Sequence, residues 1–342
     1  MTAIALMMFG CQNESEELDV MPTDQISAPG GNGNGHAYGL HRNCHSMKVL
    51  EAQIKENPGR ALGLEQIEEH TRAFVNGKKP DGAGGGNGGG GNDGGGDGPT
   101  PFIGTVTIPV YVHVIYNTSN QNISDAQINS QIDVLNEDFG ATNTDTNLVP
   151  AEFAGLIADS DITFTLAGVT RKSSSRTSWG TNDAMKFASN GGVDVVDPAN
   201  ALNIWVCNIG GGILGYAQFP GGSASTDGIV VSPQYFGRTG FLSAPFDKGR
   251  TTTHEVGHWL NLRHIWGDGR CNRDDFVADT PTSDRPNYGC PTYPTVHCRD
   301  TDMTMNYMDY VDDACMNMFS LGQKDRMRAL FASGGARETV VL

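Results

Sequence analysis

The chain has 342 residues, 38% of them hydrophobic, enough for a sizeable core and for two or three folded units at ~100 to 200 residues each. Lys and Arg number 23 against 39 Asp and Glu, and the resulting charge of -16 repels a phosphate backbone, so nucleic acid is not the expected partner. No stretch approaches the ~18 consecutive apolar residues of a membrane-spanning helix.

The first ten residues, MTAIALMMFG, are apolar and end in a small residue before Cys11. This resembles the site at which bacterial lipoproteins are cut and acylated, so residues 1–11 are expected to be a lipoprotein-type signal with Cys11 as the lipidated residue. No Lys or Arg precedes the run and it is short for a signal h-region; a chance apolar start is the alternative. Residues 12–40 are polar and glycine-rich, and cannot bury enough surface to offset chain entropy. They read as a tether. Over 41–77, Met47, Leu50 and Ile54, then Leu64, Ile67, His70 and Phe74, recur at helical spacing around a break at Asn57-Pro58-Gly59. So short a helical unit needs a larger body to lean on. Residues 78–104 form a linker, with twelve glycines in the eighteen positions from 81 to 98. No GK[ST] follows, which argues against a phosphate-binding loop.

From Thr105 to Tyr116 the residues Val106, Ile108, Val110, Val112 and Val114 alternate, as in a half-buried strand. Ser124 with Gln127 is a capping box, and Ile128, Ile132, Leu135 and Phe139 make one helical stripe. Strands are expected at 161–170, 202–209 and 228–232. A second capping box, Ser320 with Gln323, opens a C-terminal helix carrying Met327, Leu330 and Phe331. Strands and helices alternate in the first half, and the last hundred residues hold two helices and much irregular chain. That pattern is α/β or α+β.

In TTTHEVGHWLNLRHIWGD, His254 and His258 stand four apart, so on a helix their rings leave one face and reach one cation at ~2.0 to 2.1 Å. Glu255 lies between them, placed to take a proton from a metal-activated water. His264 supplies a third nitrogen if the helix stops near Asn261 and the chain reverses through a left-handed residue, which asparagine tolerates. Three protein nitrogens leave a fourth position open, the arrangement of a catalytic zinc site.

HEVGHWLNLRH resembles the HExxHxxGxxH signature of the metzincin zinc peptidases, with Asn261 where glycine is usual, and the chain is similar to the pappalysin family among them, in its bacterial branch. The resemblance extends through most of residues 100–335. It implies an α+β catalytic domain over 105–342: a twisted mixed sheet plus the zinc helix, then an irregular, disulfide-stapled C-terminal subdomain with a Met-turn and a C-terminal helix, all preceded by a small helical propeptide. It implies a zinc endopeptidase made as a latent zymogen and acting on protein or peptide substrates, with Glu255 as general base and acid.

Within that resemblance, MNYMDY offers Met308 as the Met-turn methionine, with Met303 and Met305 nearby, and Tyr310 as a hydrogen-bond donor to the reaction intermediate. GGGILGYAQFPGG looks like the family's segment before the zinc helix. CNRDDFVADTP looks like its calcium segment, which assigns Asp275, Asp279 and Thr280 as oxygen ligands, with Asp268 a further acid close by. Cys271, Cys290, Cys298 and Cys315 admit three pairings; the family arrangement is Cys271 with Cys298 and Cys290 with Cys315. Cys207 reads as a buried free thiol. Cys44 matches a propeptide cysteine that holds the open zinc position in the latent form, a spare thiol or a partner for Cys207 being the alternative; cleavage at the linker, near Lys78-Lys79, would then activate the enzyme.

The family preference for Arg or Lys after the scissile bond points to Asp312 or Asp313 as the pocket acid, with no basis for choosing between them. Substrate is expected to add a strand along the sheet edge near Thr163–Val169. The protein is expected to be exported, as a surface lipoprotein or secreted after cleavage, to meet the membrane only through a lipid anchor, and to be a monomer. The rival class is a non-catalytic surface lipoprotein that uses the fold for binding.

Overall fold

The computed structural model describes residues 41–77 and 98–341. The expected lipid site Cys11, the tether, Lys78-Lys79 and the linker up to residue 97 lie outside the described residues. Among the described residues no helix is long and apolar enough to cross a membrane.

The framework is a five-stranded mixed sheet in the order β2-β1-β3-β5-β4. β1 (Val106–Tyr116), β2 (Ile162–Ser173), β3 (Leu202–Val206) and β5 (Ile229–Val231) run parallel, and the three-residue β4 (Gly215–Ala217) closes one edge antiparallel to β5. The alternation read along β1 is real: Val106, Ile108, Val110, Val112 and Val114 are all fully buried on one face. Against them packs α3 (Asp125–Phe139) through Ile128, Ile132, Leu135 and Phe139. Full burial of such a side chain is worth ~1.5 to 3 kcal/mol. Ser124 caps α3 by accepting from the Gln127 N–H at 3.2 Å. The expected box is only half formed, because the Gln127 Oε1 that would accept from the Ser124 N–H accepts instead from the Phe241 N–H at 2.9 Å, while its NH2 donates to the carbonyls of Pro233, Phe236 and Phe241. A buried amide whose oxygen and nitrogen are both held by tertiary partners has no reason to turn back to its own helix end.

α4 (Arg250–Trp259) packs beside α3 and against β4 and β5, contributing Val256 and Trp259 to the same core. The opposite face of the sheet carries a second core of Trp179, Met185, Trp205, Ile209 and Tyr216, in which Cys207 is buried as a free thiol. After α4 the chain is irregular to residue 320, apart from the small hairpin of β6 (Val296–His297) and β7 (Asp300–Thr301). This part is stapled by Cys271–Cys298 and Cys290–Cys315. α5 (Leu321–Ala329) then opens with both halves of the Ser320–Gln323 capping box in place.

At the N-terminal side, α1 (Ser46–Glu56) and α2 (Gly59–Gly77) belong to the same compact unit as the sheet. They supply what so short a pair lacks by docking: Leu50 and Leu64 cover Phe219, and Phe74 packs on Ala329 and Ala332.

One expectation is corrected by the strand order. Thr163–Val169 lies in β2, at the sheet edge separated by β1, β3 and β5 from β4, the edge strand that α4 packs against, so it is not where substrate meets the site. The edge beside α4 is β4, whose Gly-Tyr-Ala is too short for a period-two signal. Alternation reports which face is buried, not which strand lies at which edge.

Candidate active site

His254 and His258 leave the same face of α4, and Leu260 ends the helix. Asn261 adopts φ 71°, the left-handed turn that the reversal requires, and His264 returns to face the other two rings. Each imidazole is oriented through Nδ1: His254 to the Tyr307 carbonyl at 2.7 Å, His258 to the Leu262 carbonyl at 2.8 Å and His264 to the Asp268 carboxylate at 2.6 Å. Donation by Nδ1 leaves the Nε2 lone pairs pointing at one another. His254 Nε2 is buried without a hydrogen-bond partner, and His258 Nε2 lies 3.1 Å from His264 Nε2.

Two lone pairs at that distance repel unless a cation lies between them. Two nitrogens bound at ~2.05 Å to a tetrahedral ion would stand roughly 3.3 Å apart. Burial, and after it the neighbouring imidazoles, hold His254 and His258 well below their ordinary range, so both rings are neutral and able to ligate. The fourth donor atom is Cys44 Sγ, and the four ligand atoms all lie within 4.8 Å of one another. Three nitrogens and a sulfur fit zinc.

Beneath the rings, Met308 is fully buried and its Sδ lies where a Cβ on Gly257 would come within 2.5 Å, so the glycine between the two helical histidines is what admits the methionine. Met303 and Met305 pack elsewhere, with Met318, Val149 and Phe153. The Tyr307 that receives His254 is itself held: its hydroxyl donates to Asp138 at 2.9 Å, and Asp138 is paired with Arg250 and accepts from Thr253.

Glu255 is 1% exposed and accepts from Ser46 Oγ at 2.7 Å and Cys44 Sγ at 3.4 Å. Burial lifts its carboxyl to about 7, against the pull of those hydrogen bonds and of Arg42. β4 approaches it so closely that a Cβ on Gly215 would stand 3.0 Å from Glu255 Cγ, which is why that strand begins with glycine.

Residues 43–45 lie along β4 as an added strand: the Leu214 N–H donates to the Asn43 carbonyl at 3.1 Å and the His45 N–H to the Gly215 carbonyl at 3.2 Å. The Tyr310 hydroxyl donates to the Cys44 carbonyl at 3.3 Å. Two residues before Cys44, Arg42 pairs with Asp313 at 2.5 Å, both side chains being essentially inaccessible, and also donates to Thr251 Oγ1 and the Val311 carbonyl. The chain thereby separates the two candidate pocket acids: Asp313 faces Arg42, whereas Asp312 is half-buried.

The expected calcium ligands are only partly assembled. Asp275 is 4% exposed, accepts from Thr280 Oγ1 and the Val277 N–H, and is raised to about 7 by burial. Asp279 is turned away to the start of α5, its two oxygens accepting from Ser320 Oγ at 2.6 Å and the Gly322 N–H at 2.8 Å. Asp268 serves His264 rather than the Asp275 group.

Several residues that matter carry no motif of their own in the sequence: Arg42, Ser46, the Asp138–Arg250 pair, Phe219 and Trp266, whose ring stacks on His264 at 4.3 Å. For Arg42 and Ser46 a signal existed, since both lie within two residues of Cys44 in HRNCHSM. Trp266 lies two residues after His264 and Phe219 within GGGILGYAQFPGG, whereas Asp138 and Arg250 are joined across more than a hundred residues.

A zinc-fitting trio of histidines on a helix that ends in a left-handed turn, a carboxylate beside it and a methionine beneath it define a metzincin-type metallopeptidase. A sequence model of the peptidase M43 family, described as Pregnancy-associated plasma protein-A, matches residues 193–332. An extracellular metalloprotease of Arthroderma benhamiae is 34% identical over 238 residues, covering 66% of this chain and 72% of the relative. Extracellular metalloprotease 1 of Coccidioides posadasii is 35% identical over 243 residues, covering 66% and 77%.

Among solved structures, a promirolysin mutant of Tannerella forsythia superposes with TM-score 0.76 at 41% identity, covering 87% of this chain and 97% of that one. Mature mirolysin of the same organism, in complex with a cleaved peptide, gives 0.67 at 50% identity, covering 69% and 95%. The chain belongs to the pappalysin family of metzincins and is a zinc metalloendopeptidase. Its N-terminal helical region corresponds to a propeptide.

Proposed function

We propose that the chain is exported as a latent precursor in which Cys44 holds the open zinc position, and that loss of the propeptide releases an endopeptidase cutting before Arg or Lys. The path of residues 42–46 carries this reading. One short strand on β4 puts a thiol among the three imidazoles, a guanidinium on Asp313 and a hydroxyl on Glu255.

His254, His258 and His264 would hold the zinc, which when bound would supply Lewis-acid polarisation of the scissile carbonyl and activation of water near neutral pH. Substrate pairs with the edge of β4 by main-chain hydrogen bonds, in the place of residues 43–45. Glu255, freed from Ser46 and Cys44, takes a proton from the attacking water and passes it to the leaving amine. Tyr310, now donating to the Cys44 carbonyl, donates to the substrate carbonyl oxygen as charge develops there. Met308 supports the helix that carries the ligands. Asp313 receives the basic side chain that follows the cut, with Arg42 as its stand-in in the latent form.

A structural calcium ion is the fitting counter-charge for Asp275, whose buried carboxylate is met by neutral donors; Thr280 and the Val277 carbonyl are the neighbouring oxygens. Asp279 is better accounted for as the cap of α5. Outside the cell the chain is either anchored through Cys11 or released, and acts as a monomer on protein or peptide substrates. A binding-only lipoprotein would have no use for Glu255, which zinc binding alone does not require.

The test is zinc content and proteolysis of the activated chain beside Glu255→Ala. Retained metal with lost cleavage in the variant supports the reading; cleavage by both, or by neither, refutes it. A peptide library without enrichment of Arg or Lys after the cut refutes the assignment of Asp313.

A further inference from the structure

The cluster around Phe219 is unusual in its membership. Its other residues, Met47, Leu50, Ile54 and Leu64, all come from α1 and α2. Phe219 is 1% exposed, and its ring centroid lies 5.3 Å from that of His258. An aromatic side chain beside a zinc-binding histidine is thus covered by the propeptide, and loss of the propeptide uncovers it.

The backbone around it is prepared in the same way. The Ala217 N–H donates to Ser46 Oγ at 2.8 Å, and the carbonyls of Phe219 and Pro220 each accept from the Arg60 guanidinium at 2.7 Å. Both partners, Ser46 and Arg60, leave with the propeptide. An apolar floor with a released donor and released acceptors at its rim is what a side-chain subsite is made of.

Its place along the cleft follows from the propeptide strand. Residues 43–45 run beside β4, Arg42 reaches Asp313 on one side of Cys44, and Met47 and Leu50 reach Phe219 on the other. If Asp313 receives the residue after the scissile bond, as proposed above, Phe219 faces the residues before it. At ~3.3 Å per residue of extended chain, a strand continuing past Ala217 brings a side chain over Phe219 roughly two or three residues before the cut.

We propose that Phe219 floors an apolar subsite of the mature enzyme, selecting Leu, Met or an aromatic residue two or three positions before the scissile bond. Met47, Leu50 and Leu64 are its occupants in the latent form. The subsite rests on the reading of Asp313 as the pocket for the residue after the cut, and it adds a second determinant on the opposite side of the metal.

Peptides with Arg after the cut and Leu, Phe, Ser or Asp at each of the three preceding positions, beside matched peptides with Ala in place of that Arg, test it, using the zinc-loaded full-length chain after limited proteolysis of the linker. The expected result is a preference of about tenfold or more in kcat/KM for Leu or Phe over Ser at one of those positions, the size a hydrophobic pocket provides. Phe219→Ser should erase the preference by raising KM while leaving kcat and zinc content unchanged, because the contact is made equally in the bound substrate and in the transition state. Phe219→Leu should restore it. Equal kcat/KM across the series, with the Arg requirement intact, overturns the subsite and leaves the Asp313 reading standing. Cleavage without any Arg requirement, or no cleavage at all, overturns both. Loss of zinc or of kcat in Phe219→Ser assigns the side chain to packing instead, and Leu against Ser in the parent enzyme still decides the preference.

Discussion

Replacing Arg42 with Ala should weaken latency without touching the metal site. The Arg42–Asp313 pair is inaccessible on both sides, at 1% and 0% exposure, and Arg42 adds hydrogen bonds to Thr251 at 3.1 Å and the Val311 carbonyl at 3.2 Å. Removing one partner of a buried pair costs ~3 to 5 kcal/mol. Asp313 keeps the N–H groups of Lys248 at 2.8 Å and Arg250 at 3.2 Å, so the lower end applies. At ~1.36 kcal/mol per tenfold, ~3 kcal/mol is about a hundredfold in the population of undocked propeptide. Arg42→Lys keeps the charge but loses the fork, and should fall between the parent and Arg42→Ala. The assay is cleavage of a quenched fluorescent peptide by zinc-loaded, uncut chain, with integrity of the linker confirmed by mass spectrometry. A basal rate in Arg42→Ala equal to that of the parent precursor would refute the idea that this ion pair helps hold the propeptide in the cleft.

Other outcomes follow from the same geometry. Tyr310→Phe should lower kcat of the activated enzyme by about 10²- to 10³-fold while zinc content, read by atomic absorption, stays the same. Burial raises the Asp309 carboxyl to about 7 despite hydrogen bonds from Asn287 and the Tyr310 N–H. Its folded value lies above the unfolded value of ~3.9, so its contribution is fully present below that pH and is lost as pH rises through about 7. Asp309→Asn should flatten that part of the stability profile in denaturant titrations between pH 4 and 8. Reducing Cys290–Cys315, which spans 25 residues and ends two residues after Asp313, should cost ~3 kcal/mol and raise KM for Arg-containing peptides more than it lowers kcat.

Much of the site was legible because it is local. His254, Glu255 and His258 share one helix, Asn261 turns the chain as its tolerance of positive φ suggests, and His264 closes the trio. The strands and the two N-caps were readable from alternation and from Ser at the right offset. Features set by long-range packing were not. Nothing in Thr163–Val169 says that β2 lies at the wrong edge, and nothing in Gln127 says that the N–H of Phe241, more than a hundred residues away, claims its side-chain oxygen. That Asp313 and not Asp312 pairs with Arg42 shows only in the folded chain, as does the closeness of Met308, among the three methionines, to Gly257. Asp279 looked like a cation ligand from its neighbours in sequence, yet its carboxylate is committed to the start of α5.

X-ray absorption at the zinc edge, on the intact precursor and again after the linker is cut, probes the coordination shell itself. The precursor should contain one zinc per chain with three nitrogen scatterers and one sulfur at ~2.3 Å, and the sulfur should vanish from the cut and separated enzyme, leaving the nitrogens in place. A precursor spectrum without sulfur, or one with fewer than three nitrogens, would contradict the coordination of Cys44, His254, His258 and His264 around a single ion.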